Sequence, residues 1–420
     1  MKTKFLLNNI FYYLLSFMVI LSCQSLVSKI QGDNVMTMLC IIVMLLCIVA
    51  ELKYVIKGKR LQYIIFVMYI ISLSILFIFG DFLYLYFIII HLIFAGMVYF
   101  WFFLGNAENK IIKIMNSIKN LLIVISIISI VCFLFCTVFD FIQPSVIYNA
   151  KKIGWSNYDY RVYGYLYNDG QMTDIFGYRV LRNIGIFVEA PMYAYLLIIS
   201  LYIQMFLTRT NLFNELILIV AIVTTLSSTG FVFCIIFLLI KYRRVFSQHK
   251  IILLITTPIV LIIGGCIIYA VLKDKLLTGN LSGITRIDDF LASIKSFINA
   301  PIVGNGYMNS RALDPFRTGM RANVSWDGKL AGLSSGIGGI LSNGGVIFAW
   351  FYIFPFIIAI KNIILCHNEK NIYMNFFVIV VFLLLCNTIV YIVAIGPFMN
   401  ILCWYIVLIY NANHERFENF

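Results

Sequence analysis

The chain has 420 residues, 62% of them hydrophobic and only 12% charged, with mean hydropathy +0.97 and a formal net charge of +13. Soluble domains are about 45–50% apolar and about 25% charged, so this composition argues against a water-soluble core; lipid must cover most of the apolar surface. Such positive charge in a soluble chain would point to nucleic acid, but no nucleic-acid-binding motif is present, and the charge is read through the preference of cytoplasmic loops for lysine and arginine.

Lys2 and Lys4 precede an apolar run from Phe5 to about Val27. The run is too long for a signal-peptide core and no small-x-small site follows, so it is expected to be the first span. Further apolar runs predict spans at about 35–50, 61–79, 82–104 and 120–140, a long loop over 141–183, and a sixth span at about 184–207. Basic residues flank the next run, 212–240, on both sides: Arg209 before it, and Lys241, Arg243 and Arg244 after it. A single span would carry one of those clusters across the membrane. The run also holds the turn-like Ser227-Ser228-Thr229-Gly230, so it is expected to form a short helical hairpin, spans seven and eight. Span nine follows at about 251–271 and a second long loop at 272–335. The last spans fall at about 337–360, 372–392 and 398–410, with Gly396-Pro397 turning the chain between the final two.

The expected architecture is all-α: one polytopic integral membrane domain over 1–420, about twelve transmembrane helices, both termini cytoplasmic, and two long extracytoplasmic loops. Seventeen lysines and arginines then fall on cytoplasmic segments and only Lys29 in a short outer loop. The other thirteen lie in the long outer loops, which the positive-inside preference largely exempts. Ten cysteines are present, none in the long loops and none in a CxxC pair. They read as small buried hydrophobes, and the loops are expected to fold without disulfides. No metal-ligand set or cofactor motif is visible. The four histidines, His91, His249, His367 and His414, fall within a span or on the cytoplasmic side.

The first long loop is rich in tyrosine: Tyr148, Tyr158, Tyr160, Tyr163, Tyr165, Tyr167 and Tyr178, with Trp155. Alternation at Tyr163, Tyr165 and Tyr167 predicts one extended strand with an aromatic face. That face suits either stacking on sugar rings or an interfacial aromatic belt. The loop ends in Tyr178-Arg179-Val-Leu-Arg182-Asn-Ile-Gly185-Ile-Phe-Val-Glu189-Ala-Pro191. Here arginines enter an apolar span with a glutamate inside its start. Glu189 is either a functional group, as ionisable residues at such depth tend to be, or a first-turn acid favoured by the helix dipole.

In the second loop, Thr285 and Asp288 have the spacing of a capping box, and Ile287, Phe290, Leu291, Ile294, Phe297 and Ile298 form an apolar stripe up to Pro301. A helix lying on the membrane surface or on other spans is expected. Asp288 and Asp289 cap it or serve a site. The tight turn Ile302-Val-Gly304-Asn-Gly306-Tyr307 follows, then Arg311, Arg317, Arg321 and Lys329. Arginine forks match phosphate oxygens bidentately, so the cluster is expected to meet an anion, either lipid headgroup phosphate or the diphosphate of a lipid-linked substrate.

Four segments together resemble the Wzy-type O-antigen and capsular polysaccharide polymerases, within the O-antigen ligase and polymerase superfamily. They are Arg182-Asn-Ile-Gly-Ile-Phe-Val-Glu-Ala-Pro191, Leu226-Ser-Ser-Thr-Gly230, Arg286 with the helix ending Pro301-Ile-Val-Gly-Asn-Gly306, and Ser342-Asn-Gly-Gly-Val-Ile347. The resemblance covers about 182–350. In the first segment Ala190 intrudes before the proline, a departure from the family pattern. The ligase branch places a histidine in the large outer loop; this loop has none, which favours polymerase.

The resemblance implies glycosyl transfer at the outer face of a bacterial inner membrane. The donor is a polyprenyl-diphosphate-linked glycan and the acceptor a second lipid-linked repeat unit. No metal or cofactor is implied, and a flippase and a chain-length regulator are the implied protein partners, with no nucleic acid. Catalytic roles fall to Glu189, Arg182 and Arg286, and diphosphate or glycan binding to Arg179, Arg311, Arg317, Arg321, Asp289, Tyr178 and Tyr307. The alternatives are an O-antigen ligase and, from another class, a lipid-linked oligosaccharide flippase.

Overall fold

In the computed structural model the chain is predominantly helical. The described residues are 2–52, 60–79, 85–149, 159–175, 178–248, 281–307, 309–318 and 335–411. The expected ninth span at 251–271, and Arg321 and Lys329 of the second loop, lie outside them. The helices are α1 (Lys2–Leu21), α2 (Leu26–Gln31), α3 (Asp33–Glu51), α4 (Arg60–Phe79), α5 (Leu85–Phe103) and α6 (Ala107–Cys132). After them come α7 (Ala190–Tyr202), α8 (Leu212–Thr224), α9 (Ser228–Gln248), α10 (Leu281–Asn299), α11 (Gly336–Leu365), α12 (Glu369–Asn387) and α13 (Ile395–Ile409). Between α6 and α7 run the short strands β1 (Val146–Tyr148), β2 (Tyr160–Tyr163), β3 (Tyr167–Asp169), β4 (Met172–Ile175) and β5 (Tyr178–Leu181).

Five stretches are long and apolar enough to cross a membrane: Asp33–Glu51, Ala107–Val138, Ala190–Leu207, Gly336–Leu365 and Glu369–Asn387. Six shorter apolar helices join them among the described residues. The chain is a helical membrane protein. It divides into two compact units, one of Met1–Cys23, Asp33–Ser117 and Thr285–Phe420, the other of Gln24–Gly32 and Ile118–Ile284.

In the first unit α3 packs on α1 and α5, α4 on α5 and α11, and α13 on α11, α12 and α5. Its interior is aromatic. The Tyr69 ring stacks 3.9 Å from Phe351, and Phe102 stacks 4.5 Å from Tyr405. Polar side chains act as interhelical glue, at about 0.6 kcal/mol per contact on average in folded membrane proteins. Asn362 Nδ2 donates to Asn375 Oδ1 (2.9 Å) and to the Val407 carbonyl, and Asn375 Nδ2 donates to the Tyr410 carbonyl, which ties α11, α12 and α13. Glu51 and Lys110 form a buried ion pair, with the Tyr12 hydroxyl donating to Glu51.

One long helix in this unit is broken. Gly345, inside α11, has φ 54° and ψ −157°, a backbone open to glycine. The turn after α10 fills the break. Asn305 N–H donates to the Ser342 carbonyl and Gly306 N–H to that of Asn343. In return Val346 N–H donates to Pro301 and Ile347 N–H to Ile302. The backbones touch: a Cβ on Gly304 would lie 2.5 Å from the Asn343 carbonyl carbon, and one on Gly345 2.5 Å from the Ile302 oxygen. The expected tight turn and the glycine-rich start of the next span are therefore one interlocked feature.

In the second unit α7, α8 and α9 pack together. α7 is apolar all round and buried throughout from Met192 to Tyr202, as befits a helix enclosed by others. The 212–240 run is indeed a hairpin. α8 ends at Thr224, α9 starts at Ser228, and Lys241 Nζ reaches Glu215 Oε2 at 2.5 Å, so the two basic flanks share one end. α8 has 13 residues and is about 20 Å long, shorter than the ~30 Å of a bilayer core.

Four expectations are corrected by these elements. Span six starts at Ala190 rather than about 184, because Gly185 adopts φ 58° and side-chain amides hold the backbone of 184–189 out of the helix. Tyr163, Tyr165 and Tyr167 do not share a strand face. Gly164 and Tyr165 both have φ 59°, and Leu166 N–H closes onto the Tyr163 carbonyl, so a mirror-image tight turn folds β2 back on β3. Tyr163 and Tyr167 are buried against Cys136 while Tyr165 is exposed at the tip. Thr285 is no cap, since α10 begins at Leu281. Gly396 and Pro397 lie in the first turn of α13, where Gly396 lets the helix approach the Val390 carbonyl.

Candidate functional site

The second unit holds the Arg182–Glu189 segment. It leaves β5, crosses without regular structure, and enters α7 with Glu189 as the residue before the helix. Arg182 Nε donates to the Thr225 carbonyl (2.8 Å) and one Nη to that of Leu226 (3.5 Å). These carbonyls close α8, so the arginine charge sits at the negative end of a helix dipole. Asn183 completes the clamp. Its N–H donates to the Thr224 carbonyl, its Nδ2 to Thr224 Oγ1 (3.0 Å), and its Oδ1 accepts from Gly185 N–H (3.1 Å).

The Leu226–Gly230 turn gives Ser227 and Gly230 a physical reason. Leu226 is held at φ 51°, which is strained for a branched side chain and is the sort of backbone that clusters at functional sites. Ser227 Oγ accepts from Gly230 N–H. A Cβ on Gly230 would lie 2.8 Å from Ile222 Cγ2, so only glycine lets α9 return this close to α8. Two of the segments singled out in the sequence thus dock on each other through Arg182.

Glu189 is half-buried, with extended backbone (φ −139°, ψ 136°), and its side chain makes no capping hydrogen bond to α7. Its carbonyl accepts from Met192 and Tyr193 N–H. A carboxylate at this end of a helix is electrostatically favoured, and Pro191 is placed where the missing N–H is harmless. Tyr178 and Arg179 stand exposed on β5, Arg179 opposite Asp174 in register.

The first unit holds the α10 candidates. Asp289 is buried, and Arg317 Nε lies 3.6 Å from its Oδ1; Arg317 Nη1 also donates to Asp314 Oδ1 at 2.8 Å. Arg317 is itself buried. Its guanidinium lies between the Asp289 and Asp314 carboxylates, which ties the loop to α10. Asp289 does the same from the helix. Asp288 accepts from the N–H (3.0 Å) and hydroxyl (2.6 Å) of Thr318. Tyr307 is likewise internal: its hydroxyl donates to the Tyr391 carbonyl (3.3 Å), and its ring meets His91 and Phe348 edge-on. Arg286 stands on α10 and Arg311 in the 3-10 turn Ser310–Phe316; the side chains of both, and Arg321 as a whole, lie outside the described part.

Several polar residues outside the nominated set do much of the organising. Arg161 grips Asp169 bidentately (2.8 and 2.7 Å) across β2 and β3, and Thr137 Oγ1 donates to the same carboxylate. Burial pushes the nearby Tyr163 phenol up to about 12. Asn168, fully buried, donates Nδ2 to the carbonyls of Gly185 (2.8 Å) and Phe187 (3.1 Å). Gln171 Oε1 accepts from Ala190 N–H (2.7 Å). No signal in the sequence marks such amides, because only the tertiary approach of β3 and β4 to the Arg182 segment defines their task. Among the described residues no group of three or more His, Cys, Asp or Glu could hold a metal. No protein-family model and no curated protein matches the chain.

Proposed function

We propose that the chain is a polysaccharide polymerase of the Wzy type, a glycosyltransferase joining lipid-linked repeat units at the outer face of a bacterial inner membrane. The acceptor hydroxyl oxygen bonds to the donor's anomeric carbon as the bond from that carbon to the diphosphate breaks. Polyprenyl diphosphate leaves with the bonding pair. The hydroxyl proton passes to Glu189 or to the departing diphosphate. Negative charge builds on the leaving group, so fixed arginines carry much of the rate enhancement. By the resemblance Arg182 and Arg286 are assigned that role, and Arg179, Arg311, Arg321 and Tyr178 are assigned further diphosphate or glycan contacts. Glu189 orients or deprotonates the acceptor.

The observation that carries this reading is the pairwise docking of the four segments on which the resemblance rests. Arg182 closes on the Leu226 turn, and the Pro301–Gly306 turn closes on the break at Ser342–Ile347. A flippase would use a broken helix to offer free backbone groups to its cargo. Here the groups around Gly345 bond to the turn instead, which favours the enzyme.

Arg182→Ala and Arg286→Ala, each expressed in a strain lacking the native copy, are expected to abolish long-chain glycan while the protein still inserts and accumulates. Normal chain length with either variant would overturn the assignment. Activity in Glu189→Gln would remove the base role and leave the orienting one.

A further inference from the structure

We infer that Gln171 is a positioning residue for this reaction, fixing where Arg182 and Glu189 stand relative to each other; the inference rests on the polymerase reading. Gln171 lies between β3 and β4. Its carbonyl accepts from Arg182 N–H (3.0 Å), and its side-chain Oε1 accepts from Ala190 N–H (2.7 Å). Ala190 is the first residue of α7, directly after Glu189. One residue therefore holds both ends of the 182–189 segment.

The opening amides of a helix are usually satisfied by the side chain of the residue just before it. Glu189 makes no such bond, and Gln171 serves the Ala190 amide from outside the helix. The approach is pinned from behind, since a Cβ on Gly170 would lie 2.8 Å from the Tyr160 ring. Asn168 and Asn183 fix the middle of the segment through Gly185 and Phe187. Three amide side chains thus set the reach from Arg182 to Glu189. Displacing a catalytic group by about 1 Å can cost about a hundredfold in rate.

The test uses the full chain in proteoliposomes, with lipid-linked repeat units extracted from a strain lacking the protein as substrate. Gln171→Met is expected to lower kcat by about tenfold to a hundredfold with KM nearly unchanged. Gln171→Glu keeps the acceptor oxygen and is expected to recover most of the loss. Full turnover in Gln171→Met, or a loss confined to KM, overturns the inference. If Gln171→Met does not accumulate, Gln171→Glu is compared with Gln171→Asn, which is one methylene too short to reach Ala190. Turnover per folded molecule about tenfold higher for Glu supports positioning, and equal turnover overturns it. Arg182→Ala is run alongside. Its inactivity together with a normal Gln171→Met rejects the Gln171 role alone, an active Arg182→Ala rejects the catalytic role of Arg182, and an inactive wild-type chain rejects the polymerase reading beneath both.

Discussion

Arg317 and Asp289 face each other with side chains no more than 1% exposed. Removing one partner of such a pair strands the other charge away from water, at about 3–5 kcal/mol. Arg317→Ala and Asp289→Ala are each expected to lower the thermal midpoint of the purified protein sharply. The double variant Asp289→Ala/Arg317→Ala is expected to lose less than the sum of the two single losses, because it leaves neither charge of the pair stranded. Additive losses would show that the pair does not act as a unit. Asn168→Ala in the second unit is expected to cost about 1–3 kcal/mol, because the Phe187 carbonyl loses its partner in a buried loop; an unchanged denaturation midpoint would remove Asn168 from this role. At this scale the sequence was partly legible. Arg182 and Glu189 stood out because ionisable groups entering an apolar run demand a reason. Asn168, Gln171 and Asn183 did not, since an uncharged amide looks the same in a loop whether it faces water or carries a backbone. Arg317 was visible as a charge, but its partner lies 28 residues back on α10 and only folding brings the two together.

The elements show where periodicity informs and where it stops. α10 has the apolar stripe that its spacing predicts, yet Ile287, Phe290, Leu291 and Ile298 are exposed while Asp289, Ser293 and Ser296 are fully buried. Pattern alone cannot say which face turns inward. Here the polar face does, because Asp289 meets Arg317 and the Ser296 hydroxyl lies 2.8 Å from that of Ser342. An apolar face turned out of the protein is expected to contact lipid. A spin label on Ile298→Cys should therefore be relaxed by oxygen and shielded from a water-soluble nickel chelate; the reverse would place that face in water. The lock between the Pro301–Gly306 turn and α11 makes a second prediction. Gly345→Ala meets about 1–3 kcal/mol from a backbone conformation essentially confined to glycine, beside a backbone contact. Both Gly345→Ala and Gly304→Ala are expected to reduce folded protein, whereas Gly96→Ala, with nothing within 4 Å, should not. Equal yields from all three would contradict the lock. The glycines were legible as a turn and a helix start, but their meeting was not, since they stand about forty residues apart.

For the whole molecule, composition was enough to identify a helical membrane protein, because no water-soluble packing can cover so much apolar surface. The hairpin at 212–240 followed from charge placement, and Lys241 on Glu215 accords with it. The division into two compact units was not legible, since it depends on which helices pack and not on which residues are apolar. What the molecule does is tested most directly by separating the lipid-linked glycans of a strain from which the protein has been deleted, beside the parent strain. Single repeat units at the outer face, with the long-chain ladder lost and restored by the wild-type chain but not by Arg182→Ala, are the expected result. Repeat units held on the inner face, or a ladder that survives deletion, would contradict a polymerase.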